Sequence, residues 1–340
     1  MKLNKHNFSL NIPAIMGVCN VTLDSFSDGG KNYKTSEALT NIKKMYQCGA
    51  QIIDIGAESA RPGSDPISYQ KEINKITPIL KKLPKNKFII SIDTNKIETQ
   101  EFALKNGAHV INDIFGGSED LFLLTKKYKN GLILMHTPAP PKIMQSKVND
   151  YVDIIKDIKK YFKKKIKQLN KHLILPSKVW FDPGIGFGKR IEDNDIILNN
   201  LDTLKQFNHP ILIGLSRKSF LSVNGDGPES RLPATLGATV LAIQKGVDIL
   251  RVHDIEATSF SISPFIFMLF LFKYFNTLSR LLFTPSLISL IENRSATFPP
   301  EEAYRNCLNL FDISGRFRSG EKFGLCNLFP VFVFSGVLLR

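Results

Sequence analysis

Ala14-Ile-Met-Gly-Val-Cys-Asn20-Val-Thr-Leu-Asp-Ser-Phe-Ser-Asp-Gly-Gly30 opens as an apolar, strand-like run and then turns abruptly polar, small and turn-forming. A rigid strand feeding a polar loop is a common way for enzymes to hold reactive groups. Asn20 falls at the strand tip, with an amide able to reach a phosphate or a metal. Asp24, Ser25, Ser27 and Asp28 add oxygens, and Gly29-Gly30 lets the backbone turn sharply. Taken alone, the segment reads equally well as a surface loop of ordinary turn residues. The rest of the chain decides between the two.

Outward from this stretch, short β-branched runs recur, each followed by a longer helix-compatible segment rich in Lys, Glu, Leu and Ile. The spacing predicts strands at Ala14 to Thr22, Gln51 to Glu58, Phe88 to Thr94, His109 to Ile114, Gly131 to His136, Val179 to Gly184, Pro210 to Ser216 and Ile249 to Asp254. Eight βα units suit an α/β (β/α)8 TIM barrel better than an open sheet, and no GxGxxG or Walker loop follows the first strand. Nearly every strand ends in polar or ionisable residues: Asn20, Glu58, Asp93, Asn112 with Asp113, His136, Asp182, Ser216, and Arg251 with His253. In a closed parallel barrel such ends converge on one mouth, where the active site lies.

The 340 residues, 43% hydrophobic and 22% charged, allow a sizeable core and exclude wholesale disorder. A net charge of +14 suits small anionic substrates. The lysines of Lys156 to Lys171 read as a solvated helix face, and with no aromatic-interleaved or zinc-finger pattern a nucleic-acid partner is not expected. Cys19, Cys48, Cys307 and Cys326 are scattered, with no CxxC pair and no signal-peptide pattern ahead of them, as in a cytoplasmic protein with reduced thiols.

Seven motifs in one order carry a family resemblance. They are Asn20 to Gly30, Glu58-Ser-Ala-Arg-Pro-Gly63, Ser91-Ile-Asp-Thr94, Ile111-Asn-Asp113, Phe181-Asp-Pro-Gly-Ile-Gly-Phe-Gly188, Ser216-Arg-Lys-Ser-Phe220 and Arg251-Val-His-Asp254. Over residues 14 to about 258 the chain resembles the dihydropteroate synthases, pterin-binding TIM-barrel enzymes of folate biosynthesis. The resemblance implies a transferase that condenses 6-hydroxymethyl-7,8-dihydropterin pyrophosphate with p-aminobenzoate, releasing pyrophosphate. It implies Asp93, Asn112, Asp182, Lys218 and Met135 around the pterin, and Asn20, Arg61, Arg251 and His253 around the pyrophosphate. Phe26, Pro62, Lys218 and Ser219 fall around p-aminobenzoate, and Mg²⁺ is implied as cofactor, with Asn20 as its ligand. Asp93, Asp182, Lys218, Arg251 and His253 are the catalytic set so implied. A homodimer through the late helices is implied too. His6, His109, His172 and His209 receive no role, and His136 is left unassigned.

The chain departs from the family at Leu23, where proline is usual, at Ala60, where threonine is usual, and in Thr137-Pro-Ala-Pro-Pro141. The larger departure follows Thr258, and it divides residues 1–258, a pterin-binding barrel, from 259–340, an atypical tail. An amphipathic eighth helix is expected there, but Ser259-Phe-Ser-Ile-Ser-Pro-Phe-Ile-Phe-Met-Leu-Phe-Leu-Phe272 abandons that pattern, and more than half of the 25 phenylalanines lie after residue 258. A foreign reading frame explains this best, ahead of a genuine appended segment and of a membrane-associating tail. The Phe-rich run is shorter than the ~20 residues that a bilayer span needs, so membrane association is not expected. The expectation is therefore a barrel whose eighth helix is replaced or disrupted, followed by an irregular hydrophobic tail. Two other readings stand beside an active synthase: an impaired synthase-like product, and a pterin-binding methyltransferase, against which the Ser216-Arg-Lys-Ser and Arg251-Val-His-Asp motifs argue.

Overall fold

The structure is a computed structural model, and it describes residues 2–3, 5–10, 13–21, 30–58, 65–139, 143–144, 151–222 and 227–264. After a two-stranded hairpin, β1 (Lys2–Leu3) and β2 (His6–Asn7), come eight parallel strands. These are β3 (Ala14–Asn20), β4 (Ile52–Gly56), β5 (Ile89–Asp93), β6 (Val110–Asp113), β7 (Gly131–Met135), β8 (Val179–Asp182), β9 (Leu212–Ile213) and β10 (Ile249–Val252). Each falls inside the run expected for it. The spatial order is β8-β7-β6-β5-β4-β3-β10-β9, and the ring closes where Phe181 pairs with Ile211 and its N–H donates to the Pro210 carbonyl at 2.9 Å. Closure leaves no exposed sheet edge, so strands rich in Ile, Val and Leu are buried on both faces.

Helices α1 (Gly30–Gln47), α2 (Tyr69–Lys82), α3 (Ile97–Lys105), α4 (Glu119–Tyr128), α5 (Ile154–Lys171), α6 (Ile191–Asn199) and α7 (Leu232–Gln244) alternate with the strands. Their starts follow local chemistry: the side chains of Ser68, Ser118 and Asp153 accept from the backbone N–H three residues on, satisfying donors that the helix leaves open. In α5 the residues Ile154, Ile158, Phe162 and Leu169 are buried, while most of the lysines between them face solvent. The basic stretch is therefore the outer face of a barrel helix, as expected.

Two apolar layers result. The larger lies between strands and helices. The smaller fills the barrel interior, where Met16, Ile52, Ile89, Val110, Ile133, Trp180, Leu212 and Ile249 meet Leu3 of the hairpin, with Phe8 and Leu10 packed against them. The hairpin thus closes the end of the barrel opposite the mouth. Sequence periodicity does not reveal it, because two-residue strands carry no repeat.

The eighth helix is present as far as it is described. Residues 255–264 are helical, with Ile255, Thr258 and Ile262 buried at helical spacing. The apolar sequence after Ser259 thus replaces the amphipathic pattern without ending the helix there, since Ile262 still reaches the core. Residues 265–340 lie outside the described residues. Among the described residues no helix is long and apolar enough to cross a membrane.

Candidate active site

Strand side chains alternate between faces, so the inward positions can be counted from the interior layer. Two residues beyond Ile52 stands Asp54, and two beyond Val110 stands Asn112. The same step leads from Ile133 to Met135, from Trp180 to Asp182 and from Ile249 to Arg251, while Asp93 and Asn20 lie four beyond Ile89 and Met16. One parity therefore brings these residues above the apolar plug, at the C-terminal mouth.

Arg251 is the hub of this group. Its Nε donates to Asp54 Oδ2 at 2.8 Å and its Nη2 to Asp93 Oδ2 at 3.0 Å, leaving Nη1 uncommitted among the described residues. Asn112 Nδ2 donates to the same Asp54 Oδ2 at 3.0 Å. Burial opposes the charge on Arg251, but Asp54 and Asp93 overcome it and raise its pKa. Burial, and then Asp54, push the Asp93 carboxyl above the usual carboxylate range, with Arg251 pulling it back. Two neighbouring carboxylates share one guanidinium, so Asp93 holds its proton more tightly than a free carboxyl does.

Asp182, on the opposite wall, accepts the Gly184 N–H at Oδ1, 2.7 Å, and burial raises its pKa. The ammonium of Lys218 lies 4.1 Å from the centre of the Phe187 ring, and burial brings it down to about 8. Ser216 Oγ accepts the His253 N–H and sits 3.2 Å from its Nδ1. Desolvation, followed by Arg251 and Arg217, pushes His253 down to about 4 although the residue still reaches solvent, so the imidazole is neutral at pH 7. The sequence left that protonation state open.

Of the expected site residues, Asn20, Asp93, Asn112, Met135, Asp182, Arg251 and His253 stand at strand ends around one mouth, and Lys218 joins them from the loop after β9. Ser219 is exposed at the start of a short 3₁₀ turn, Ser219–Leu221. Phe26, Arg61 and Pro62, like Leu23 and Ala60, lie outside the described residues. Three polar strand ends serve the loops instead. Glu58 Oε2 accepts the Ile67 N–H at 2.7 Å and pairs with Lys96, while Asp113 accepts from Phe115 N and Gln100. His136, one residue past inward Met135, packs edge-on against Tyr161 of α5.

The strand-end reading missed Asp54 because it lies mid-strand, although an acid inside an Ile-rich run is a signal in itself. It also left Arg217 and Asp254 without roles. Arg217 adopts a left-handed φ of 60° and grips Asp254 with two bonds of 2.9 and 2.6 Å. A non-glycine residue holds that backbone only when its surroundings enforce it. The ion pair turns the chain between Ser216 and Lys218.

The Gly184–Gly188 loop depends on its glycines. Gly184 has φ +71°, and a Cβ there would overlap the His136 carbonyl oxygen. We expect Gly184→Ala to destabilise the fold by about 3 kcal/mol, combining left-handed strain with overpacking. Urea unfolding measures this, and a loss below about 1 kcal/mol would show that the loop can move aside.

The family model of the pterin-binding enzymes matches residues 16–253. The chain is 39% identical to the dihydropteroate synthase of Synechocystis over 72% of its own length and 86% of that protein's. It is 38% identical to the Escherichia coli dihydropteroate synthase, covering 76% and 93%. The Yersinia pestis dihydropteroate synthase, solved with a sulfonamide drug complex, superposes with a TM-score of 0.71 at 34% identity, covering 77% of this chain and 96% of that one. The Xanthomonas albilineans enzyme, solved with 4-aminobenzoic acid, superposes at 0.69 and 31% identity, covering 76% and 93%.

Proposed function

The chain belongs to the dihydropteroate synthases of the pterin-binding enzyme family, transferases that join 6-hydroxymethyl-7,8-dihydropterin pyrophosphate to p-aminobenzoate, and on that premise we propose the role of each residue at the mouth. The observation that carries the assignment is the inward quartet of Asp54, Asp93, Asn112 and Asp182 set against Arg251 and Lys218. A pterin edge presents ring donors beside ring acceptors. Asp182, with Oδ1 committed to Gly184, offers Oδ2 to the 2-amino and ring N–H groups. Asn112 commits one N–H to Asp54, which leaves its second N–H and its carbonyl oxygen for the ring. Lys218 donates to a ring acceptor, and Met135 packs against the ring plane.

In the transfer the bond between the pterin methylene and the pyrophosphate oxygen breaks, with the electron pair leaving on pyrophosphate. The p-aminobenzoate nitrogen then forms the new bond and sheds a proton. Positive charge develops on the pterin, and Asp93 stands where it can be stabilised. Arg251 Nη1, neutral His253 and Arg61 receive the departing pyrophosphate. Phe26, Pro62 and Ser219 hold p-aminobenzoate, whose seating keeps water from the cationic centre.

Mg²⁺ suits this donor set, because Asn20 offers a hard amide oxygen beside Gly56, whose other neighbour is Asp93. A small divalent ion completes its shell from substrate phosphates and water. Bound there, it would neutralise charge building on the leaving pyrophosphate. The same reading carries a cytoplasmic homodimer, the dimer being checked by sedimentation of the full chain.

Dihydropteroate formation assayed beside dihydropterin binding tests the assignment, and binding without turnover by the full chain would defeat it. In the free enzyme kcat/KM is expected to fall as pH rises through about 8, when Lys218 loses its proton. Lys218→Arg should move that limb above pH 10. A limb that stays put in Lys218→Arg would assign the ionisation to another group.

A further inference from the structure

Lys189 is nine-tenths buried and touches no position assigned to substrate. Its ammonium donates to the carbonyls of Gly184 at 2.8 Å, Phe187 at 3.0 Å and His136 at 3.1 Å. Three acceptors match the three N–H bonds of an ammonium, whereas a neutral amine has only two. Burial pulls its pKa down to about 7 and Asp182 opposes that pull, while the three carbonyl acceptors favour the ammonium over the amine.

What the clamp holds is more telling than the clamp itself. Within the same loop, the Gly184 N–H fixes Asp182 Oδ1, and the Phe187 ring lies under the Lys218 ammonium. Gly186 packs against the Lys218 side chain, so that a Cβ there would come 3.3 Å from Lys218 Nζ. The third acceptor, on His136, belongs to the residue after Met135 at the end of β7. One buried cation thus ties together the backbone that shapes three expected pterin contacts. We propose that Lys189 is a positioning residue for the pterin subsite, setting Asp182 and Lys218 by locking the Gly184–Gly188 loop to the end of β7. The inference rests on the pterin reading of this mouth.

The test uses Lys189→Met and Lys189→Gln in the full chain, with Lys164→Met, exposed on α5, as the charge-loss control. Folding is followed by thermal melts, and the readouts are dihydropterin affinity and the pH profile of kcat/KM. Positioning predicts that folded Lys189→Met loses about 100-fold in kcat/KM for the dihydropterin, as expected when a reacting group shifts by about 1 Å. It also predicts that the alkaline limb near pH 8 moves upward. Lys218 faces Asp182 on β8 and Arg251 on β10, and those two charges remain, so a shift reports the loosened loop and the lost neighbouring cation. Lys164→Met should move neither readout.

A folded Lys189→Met within about threefold of wild type and with an unmoved limb would overturn the proposal, the ~100-fold expectation being that of misplacement. So would failure of both Lys189 variants to fold, which would give the residue to the fold alone. If the wild-type chain itself formed no dihydropteroate, the synthase reading would fail instead. Dihydropterin binding by the same variants would then still decide the role of Lys189.

Discussion

Arg251→Met is expected to abolish dihydropteroate formation and to lower stability by about 3 kcal/mol, the lower end for breaking a buried pair from one side. The Arg251 side chain is 23% exposed, while Asp54 is fully buried and Asp93 only 16% exposed, so methionine would strand two carboxylates that water reaches poorly. Asn112 would still donate to Asp54, which limits the loss. The double variant Asp54→Asn with Arg251→Met separates the two effects. Removing the stranded charge should restore much of the stability and none of the activity. Denaturant unfolding beside a turnover assay reads both. An Arg251→Met chain that unfolds like wild type would mean that the carboxylates have found protons or water instead.

Asp93→Asn is expected to cut kcat by about 1,000-fold, because it removes preorganised negative charge from where the pterin becomes cationic. Its effect on stability should be small and of the opposite sign. Burial and Asp54 hold the Asp93 pKa above its unfolded value, so the folded chain binds the extra proton and stability falls as pH rises from the ordinary carboxylate range through the folded pKa. Asparagine carries no such titration and keeps an oxygen for Arg251, so the variant should gain on wild type as pH rises across that window. Near-normal turnover in Asp93→Asn would remove Asp93 from the catalytic set. A stability difference independent of pH would show that the pair with Arg251 cancels burial and repulsion from Asp54.

Most of the barrel was legible because its strands are buried on both faces and write themselves as apolar runs, each closed by a polar residue. Asn20, Asp93, Asn112, Asp182 and Arg251 stood out for that reason. Asp54 did not, since an inward position in mid-strand carries no turn or strand-end mark. Lys189 reads in sequence as one more surface lysine, and only the convergence of the Gly184, Phe187 and His136 carbonyls on its ammonium makes it a buried clamp. The hairpin of β1 and β2 was invisible because its strands are too short for any period. After Ser259 the loss of amphipathic pattern was real. Yet residues 255–264 are helical, because a helix on a barrel needs only one buried stripe, and Ile255, Thr258 and Ile262 provide it.

By itself the sequence determined the number of βα units, the parity that sends one residue in two towards the barrel axis, and the chemical types gathered at the mouth. Those follow from local rules of strand alternation and burial. The tertiary structure alone decided which charge answers which. Arg251 lies 197 residues from Asp54 and 158 from Asp93, and no local rule couples them until the ring closes and places β10 beside β3. The neutral state of His253, the grip of Arg217 on Asp254 and the cradle of Lys189 share that origin, because electrostatic energy depends on distance and burial, and both exist only in the folded barrel.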